Sequence, residues 1–377
     1  MRLVISVGES SGDYLAAHLV KHLKTLHPDV EIAGLAGPLM IQQGVTPWFD
    51  MNELNVMGLQ EVIAHLPRLM RLRKAFKQKI LDWQPDAFIG VDAPDFNLGL
   101  ARSLRQQGVL SFHYVSPSIW AWRANRAKKI ARSIDGLLTL FPFEPPLYEA
   151  HGLKTEFVGH PLADDIDQAL TGRDGDIESQ ETKSPSIALL PGSRLGEIER
   201  HMPLLLDSAA LIQTKRPDTR WVMPVVSGEQ EGLIHARWGQ RLDELGIRLR
   251  AGQTQSVLLD ADLAITASGT VTLEAFLLGC PQVVFYRLAA STHWLATHLN
   301  LVKSQWVSLP NILTQGDCVP EKIQQAANPE AMAESALAWL DDLTQITEYR
   351  ATAKLWRAKL QAGDKAAQAI SRWVAQS

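Results

Sequence analysis

Residues 8–13 read GESSGD, directly after the apolar run 3–7. A glycine-bearing turn that leaves a first strand is a common phosphate cradle, yet Glu9 and Asp13 place two carboxylates where an anion would sit. Carboxylates and hydroxyls accept hydrogen bonds, so this loop, with Ser11 between the acids, suits the hydroxyls of a sugar. The theme returns after the run DAFIGV (86–91), which is followed by Asp92-Ala93-Pro94-Asp95-Phe96-Asn97. Asp92 is the first polar residue past that run, and a carboxylate there can take the proton from an attacking hydroxyl. Asp95 also reads as the cap of the following helix, and Asp92 as a residue that shapes the turn. After VLSFHYV (109–115) comes SPSIWAWR (116–123), which gathers Ser116, Ser118, Trp120, Trp122 and Arg123. Indole faces pack on sugar rings or acyl chains, and equally well in a core.

The second half offers the opposite chemistry. Leu190-Pro191-Gly192-Ser193-Arg194 follows the run 186–190, and Ser268-Gly269-Thr270 follows 262–266. Both are small-residue turns that open a helix, where unpaired N–H groups and the helix dipole favour an anion. Ser193, Ser268 and Thr270 add hydroxyls, and Arg194 adds a charge that grips phosphate through two parallel bonds. Glu197 follows the first turn. Glu274, four residues beyond Thr270, can accept from a ribose diol. Each turn alone is also what an ordinary N-cap looks like, but two in one half point to a nucleoside diphosphate. Neither half contains G-x-G-x-x-G, which argues against a dinucleotide and a nicotinamide enzyme.

Short apolar runs alternating with helical patterns must position these groups. They fall at 2–7, 31–36, 86–91, 109–115 and 136–141, then at 186–190, 220–226, 246–250, 262–266 and 282–286. Runs this short, separated by helices, read as buried parallel strands. The fold class is α/β, with two Rossmann-like doubly wound parallel-sheet domains facing a central cleft. Domains are expected at 1–167 and 187–345, joined by the polar linker 168–186, with a helical tail over 346–377 broken near Gly363.

A chain of 377 residues with 46% apolar and 21% charged residues has an ordinary globular composition. Its net charge of −4 argues against nucleic acid as a partner. Cys280 and Cys318 form no paired motif, which fits buried thiols in a reducing compartment and offers no zinc site. The apolar run at the amino terminus is too short for a signal peptide, and no run is long enough to span a bilayer. The expected location is therefore cytoplasmic. Residues 66–83, LPRLMRLRKAFKQKILDW, carry six basic residues and one acidic. Arg68, Arg71, Arg73, Lys74 and Lys77 interleave with Phe76 and other apolar residues at helical spacing, a pattern that adsorbs to anionic lipid or simply packs as a surface helix. The stretch 123–132 adds five cations. Just before the helix, NVMGLQEVI (55–63), with Met57, offers an apolar opening for acyl chains.

Together GESSGD, VMGLQEV, DAPDFN, HYVSPSIWAWR, LPGSR, ASGTVTLE and VSLPNIL (307–313) resemble the lipid-A-disaccharide synthases, glycosyltransferases of GT-B architecture, over essentially the whole chain. The resemblance implies transfer from UDP-2,3-diacylglucosamine to 2,3-diacylglucosamine 1-phosphate. The products are a β-1,6-linked disaccharide 1-phosphate of lipid A assembly and UDP. It also implies a tail crossing back to the first domain, a homodimer, and work at the inner membrane surface as a peripheral protein. An α-linked donor giving a β product is inverted, which needs one base. Asp92 fits that role, with Glu9 second and Asp13 supporting. Arg194 and the two helix amino termini would hold the departing diphosphate with no cofactor and no metal. Asp165-Ile166-Asp167 and Asp174-Gly175-Asp176 match a metal-binding Asp-x-Asp in letters, but lie in or beside the linker. Asn311 is carried to the donor site by the family pattern alone. The stretch 225–233 is more acidic than that pattern, which argues against a uridine contact there. Two other functions fit the same fold: a UDP-sugar 2-epimerase, and a non-catalytic protein that binds nucleotide sugar or lipid.

Overall fold

The computed structural model describes residues 1–54, 59–119, 126–171, 184–288 and 305–376, with the backbone alone for 59–65. The expected contacts Met57, Trp120, Trp122 and Arg123 lie outside the described residues, as does Asp174-Gly175-Asp176. Two parallel sheets are formed. The first contains β1 (Arg2–Ser6), β2 (Glu31–Ala36), β3 (Thr46–Asp50), β4 (Ala87–Val91), β5 (Leu110–Tyr114), β6 (Gly136–Thr139) and β7 (Lys154–Phe157), in the order β3-β2-β1-β4-β5-β6-β7. The second contains β8 (Ser186–Leu190), β9 (Arg220–Val225), β10 (Ile247–Ala251), β11 (Leu263–Ala267), β12 (Gln282–Tyr286) and β13 (Glu321–Ile323), in the order β10-β9-β8-β11-β12-β13. β4, β8 and β11 are buried along their whole length, which is why they are unbroken apolar runs.

Sequence periodicity gave no sign of β3, β7 and β13. All three are edge strands and are partly exposed, so their residues need not be apolar. β3 even holds Pro47, which an edge tolerates because one side of the strand needs no donor.

The chain divides into two compact units, Met1–Asp164 with Leu360–Ser377, and Asp165–Lys359. This division differs from the expected boundaries at both ends. The helix Pro161–Thr171 begins in the first unit and ends in the second, so residues 168–171 of the expected linker are helical. The helix Leu343–Leu360 belongs to the second unit up to Lys359, and the part of the tail that joins the first unit starts only at Leu360.

Backbone contacts secure that return. His160 N–H donates to Leu360 O at 2.7 Å, and the Asp164 carboxylate accepts from Ala362 N and Gly363 N at 3.1 and 2.8 Å. Gly159 permits the approach, since a Cβ there would stand 2.6 Å from the Leu360 carbonyl oxygen. The helix Lys365–Ala375 then buries Trp373 over Gly136, with its ring 5.3 Å from that of Phe112.

The basic helix spans Leu59–Trp83. Phe76, expected to face a membrane, is instead fully buried. Its ring lies 5.7 Å from Phe49, 6.3 Å from Trp48 and 6.5 Å from Phe88. Leu72, Phe76 and Ile80 form the i, i+4 stripe that packs on the sheet, so the same apolar spacing that suits lipid is spent on the core. Leu66 and Met70 remain exposed, with Arg68, Arg71 and Lys74 beside them, whereas Arg73 and Lys77 are half-buried. Phe76→Ala should cost about 3–5 kcal/mol in urea unfolding, and Met70→Ser about 0.5 kcal/mol or less. Equal losses would contradict this packing.

Candidate active site

In the first unit, β1 and β4 are neighbours, with Ser6 paired to Gly90. Their following turns therefore emerge side by side. After β1 the chain enters the helix Ser10–Leu26 with Glu9 at the cap position, and Glu9 and Ser11 are exposed. After β4 come Asp92 and Ala93, and then the helix Pro94–Arg105. Two glycines let the turns touch. A Cβ on Gly8 would lie 2.8 Å from Ala93 Cβ, and one on Gly12 would lie 3.6 Å from Asp92 Cβ.

This contact places Asp92 beside Glu9 and Ser11. Burial is the main force raising the Asp92 pKa above its usual 3.8, and the negative charge of Glu9 adds to it. Hydrogen bonds from Ala93 N–H and the Ser11 hydroxyl oppose the rise without cancelling it. A half-buried carboxylate with a raised pKa at a strand end is a better proton acceptor than a solvated one.

Several residues expected at this site have other work. Asp13 is buried, and its two oxygens accept from Leu39 N and Met40 N at 2.9 and 3.0 Å, capping the short helix Pro38–Gln42. Asn97 is fully buried and donates to backbone carbonyls, so it does not meet a substrate. Asp95 does not cap its helix, because Ala93 holds that position. It is exposed and pairs with Arg126 at 3.2 Å. Ser116 is buried, sharing a 2.7 Å hydrogen bond with Tyr148 OH, while Ser118 is exposed. Both cysteines are free. Cys280 is buried, but Cys318 is only half-buried.

In the second unit, β8 and β11 are neighbours, with Leu190 paired to Thr266, so the two glycine turns lie together. They line one cavity of about 350 Å³ with Ser193, Arg194, Glu197, Ser268, Gly269, Thr270 and Glu274. The helices Leu195–Lys215 and Thr270–Leu278 begin without any side-chain cap; of their first three N–H groups only the third, of Glu197 and of Thr272, finds an acceptor among the described residues. Neither turn is thus an ordinary side-chain N-cap. Gly192 sits at φ +108, and a Cβ there would lie 2.7 Å from Glu197 Oε2. Glu197 Oε1 accepts from Tyr286 OH at 3.0 Å and stands 3.6 Å from Arg194 Nη1, so Tyr286 and Glu197 hold an exposed arginine at the cavity. Beneath the turn, His201 Nδ1–H donates to Pro191 O at 2.8 Å and Nε2 accepts from Arg287 N at 3.3 Å. Burial lowers the His201 pKa, consistent with this neutral tautomer. Glu274 has no hydrogen-bond partner among the described residues, and burial raises its pKa.

Asn311 does not reach the cavity. It is buried and holds its own loop: Nδ2 donates to Val319 O and Glu321 Oε1, each at 2.9 Å, and Oδ1 accepts from Val319 N at 2.8 Å. The cavity also gains residues from the stretch set aside as too acidic. Val226 and Gln230 line it together with Thr254. The Gln230 amide bridges its walls, accepting from Val226 N at 2.8 Å and donating to Ser193 O at 2.9 Å. The strand-end rule, applied to β9 as it was to β8 and β11, would have found them. The Asp165-Ile166-Asp167 triplet is helical, and Asp167 pairs with Arg357 at 3.3 Å.

Comparison with known proteins agrees along the whole chain. A family model described as lipid-A-disaccharide synthetase matches residues 3–372. The lipid-A-disaccharide synthase of Chromohalobacter salexigens is 42% identical over 382 residues, spanning 99% of this chain and 97% of its own. Two solved structures share the architecture at low identity. One is a UDP-GlcNAc 2-epimerase from Neisseria meningitidis, with a TM-score of 0.62, 13% identity and 100% of each chain covered. The other is the glycotransferase of kitacinnamycin, with a TM-score of 0.63, 13% identity and 98% of each chain covered. These likenesses identify the GT-B fold and carry nothing about substrate.

The raised Asp92 pKa has a stability consequence of defined sign. Below the usual 3.8 the carboxyl is protonated in both folded and unfolded chains and contributes no difference. As pH rises above 3.8, the unfolded chain ionises first, so the native state is progressively penalised until it ionises too. Asp92→Asn should therefore raise the thermal unfolding midpoint at pH 8, with the gain vanishing as pH falls toward 3.8. Identical midpoints at pH 8 would refute the burial argument.

Proposed function

The chain belongs to the lipid-A-disaccharide synthase family, glycosyltransferases of lipid A assembly, and from that premise we propose that it joins UDP-2,3-diacylglucosamine to 2,3-diacylglucosamine 1-phosphate with inversion. The observation that carries this reading is the cavity of the second unit. Two uncapped helix amino termini, Arg194 and the Glu274 carboxylate line one space, as a nucleoside diphosphate attached to ribose requires.

The chemistry follows from the two half-sites. Asp92 accepts the proton of the acceptor 6-hydroxyl as the oxygen attacks the anomeric carbon, and the bond to the UDP oxygen breaks on the opposite face. Negative charge then develops on the diphosphate. Arg194 and the N–H groups of the two turns meet that charge with donors already in place, so little reorganisation is needed during the reaction. No metal ion is required by this scheme. Glu274 accepts from the ribose diol, and its partial burial favours a ligand hydroxyl over water.

The outward face of the Leu59–Trp83 helix supplies a lipid-facing surface. Leu66 and Met70 are exposed beside Arg68, Arg71 and Lys74, which suits adsorption to an anionic membrane and delivery of acylated substrates.

UDP release measured in detergent with EDTA should depend on the acceptor and be undiminished by the chelator. Asp92→Asn should lower kcat by about 10²–10⁴-fold, and Arg194→Ala by about 10²–10³-fold. Release without acceptor, or its loss in EDTA, would overturn the mechanism. Sedimentation with anionic vesicles should weaken in high salt and in Arg68→Ala/Arg71→Ala/Lys74→Ala, whereas salt-independent binding would remove the electrostatic part of the reading.

A further inference from the structure

The turn after β4 holds two consecutive non-glycine residues in the left-handed region, Asp92 at φ +52 and Ala93 at φ +42. Each costs about 1–2 kcal/mol relative to ordinary backbone, so the turn persists only where its surroundings over-determine it. Asp92 N–H is held by the Tyr114 carbonyl at 2.9 Å. A second hold on the Asp92 peptide comes from the side chain of Asn97, in the first turn of the helix Pro94–Arg105.

The Asn97 side-chain amide donates to Asp92 O at 2.8 Å, and to Val91 O and Ser6 O at 3.3 Å each. Val91 and Ser6 are the last residues of β4 and β1, so one buried NH₂ group joins the ends of the two central strands to the turn that carries Asp92. The orientation of the amide follows, because a flipped side chain would press Oδ1 against three carbonyl oxygens. Aspartate at this position would do the same, and serine would fall short. Gly90 makes the space, since a Cβ there would lie 2.7 Å from Asn97 Cβ and 3.0 Å from His113 Nδ1. The pinned Asp92 carbonyl carbon is bonded to the same Cα that bears the Asp92 side chain. Fixing one constrains the direction of the other.

From this geometry we propose that Asn97 is a positioning residue for proton transfer, its amide locking the Asp92 peptide in the left-handed turn and so aiming the Asp92 carboxylate at the acceptor hydroxyl. The inference rests on the reading of Asp92 as the base. It assigns Asn97 a role in the reaction although the side chain is wholly buried.

A double-mutant cycle on the full chain separates the two claims. Kinetic constants for both substrates are measured for wild type, Asn97→Ala, Asp92→Asn and the double variant, with UDP affinity and circular dichroism reporting on folding. Asn97→Ala should lower kcat by about 10–100-fold, while leaving the nucleotide-sugar KM within about twofold. In the Asp92→Asn background, which has no carboxylate left to aim, the same change should alter kcat by about twofold or less. An equal loss in both backgrounds would mean that Asn97 supports the fold generally, and would overturn the inference while leaving Asp92 as base. If Asp92→Asn itself retained wild-type kcat, the base reading would fall, and the positioning role with it. Should Asn97→Ala not fold, Asn97→Ser, which keeps a donor of shorter reach, carries the same cycle.

Discussion

Parallel pairing of β1 with β4, and of β8 with β11, sets where the two candidate half-sites lie. At each of these pairs the strand order reverses direction, so the two following connections diverge and leave their turns uncovered at the carboxyl ends of the strands. The geometry of both candidate half-sites hangs on how closely those turns can approach. In the first unit Gly8 and Gly12 remove the side chains that would hold GESSGD away from Asp92-Ala93. In the second, Gly192 and Gly269 bring backbone N–H groups to the wall of one cavity.

The two units use that shared geometry with opposite electrostatics. Asp92 is kept half-buried beside Glu9, which makes its ionised form less comfortable and its basicity greater. The second unit spends Glu197 on holding Arg194 and leaves two helix amino termini open to an anion. Both arrangements sacrifice some native stability. A carboxylate raised by burial and a strained left-handed pair are costs that a merely stable protein would shed.

Polar residues a few positions past a strand were the hardest to read. Asp13, Asn97 and Asn311 all sit in stretches that look like ligand contacts, and all three turn inward to satisfy backbone groups. Spacing along the chain does not distinguish a side chain that meets solvent from one that meets a neighbouring loop. The partners concerned, at Leu39, Ser6 and Val319, are supplied by other elements or by the far side of a loop. Phe76 failed for a related reason. A helical apolar stripe records that one face is covered, but not whether sheet or lipid covers it.

The sequence by itself determined the number and kind of domains, the central strands and the strand-end motifs. Each of these is encoded locally, in apolar run length, in turn residues and in the glycines that close approach demands. It also carried enough motif letters to place the chain in its family. The edge strands β3, β7 and β13, the return point of the tail at Leu360 and the inward turn of Asp13 and Asn97 were decided only by tertiary structure. Their physical reason is common to all of them. An unpaired edge imposes little on its residues, and a buried polar group answers to donors and acceptors that only the folded chain brings within 3 Å or so of it.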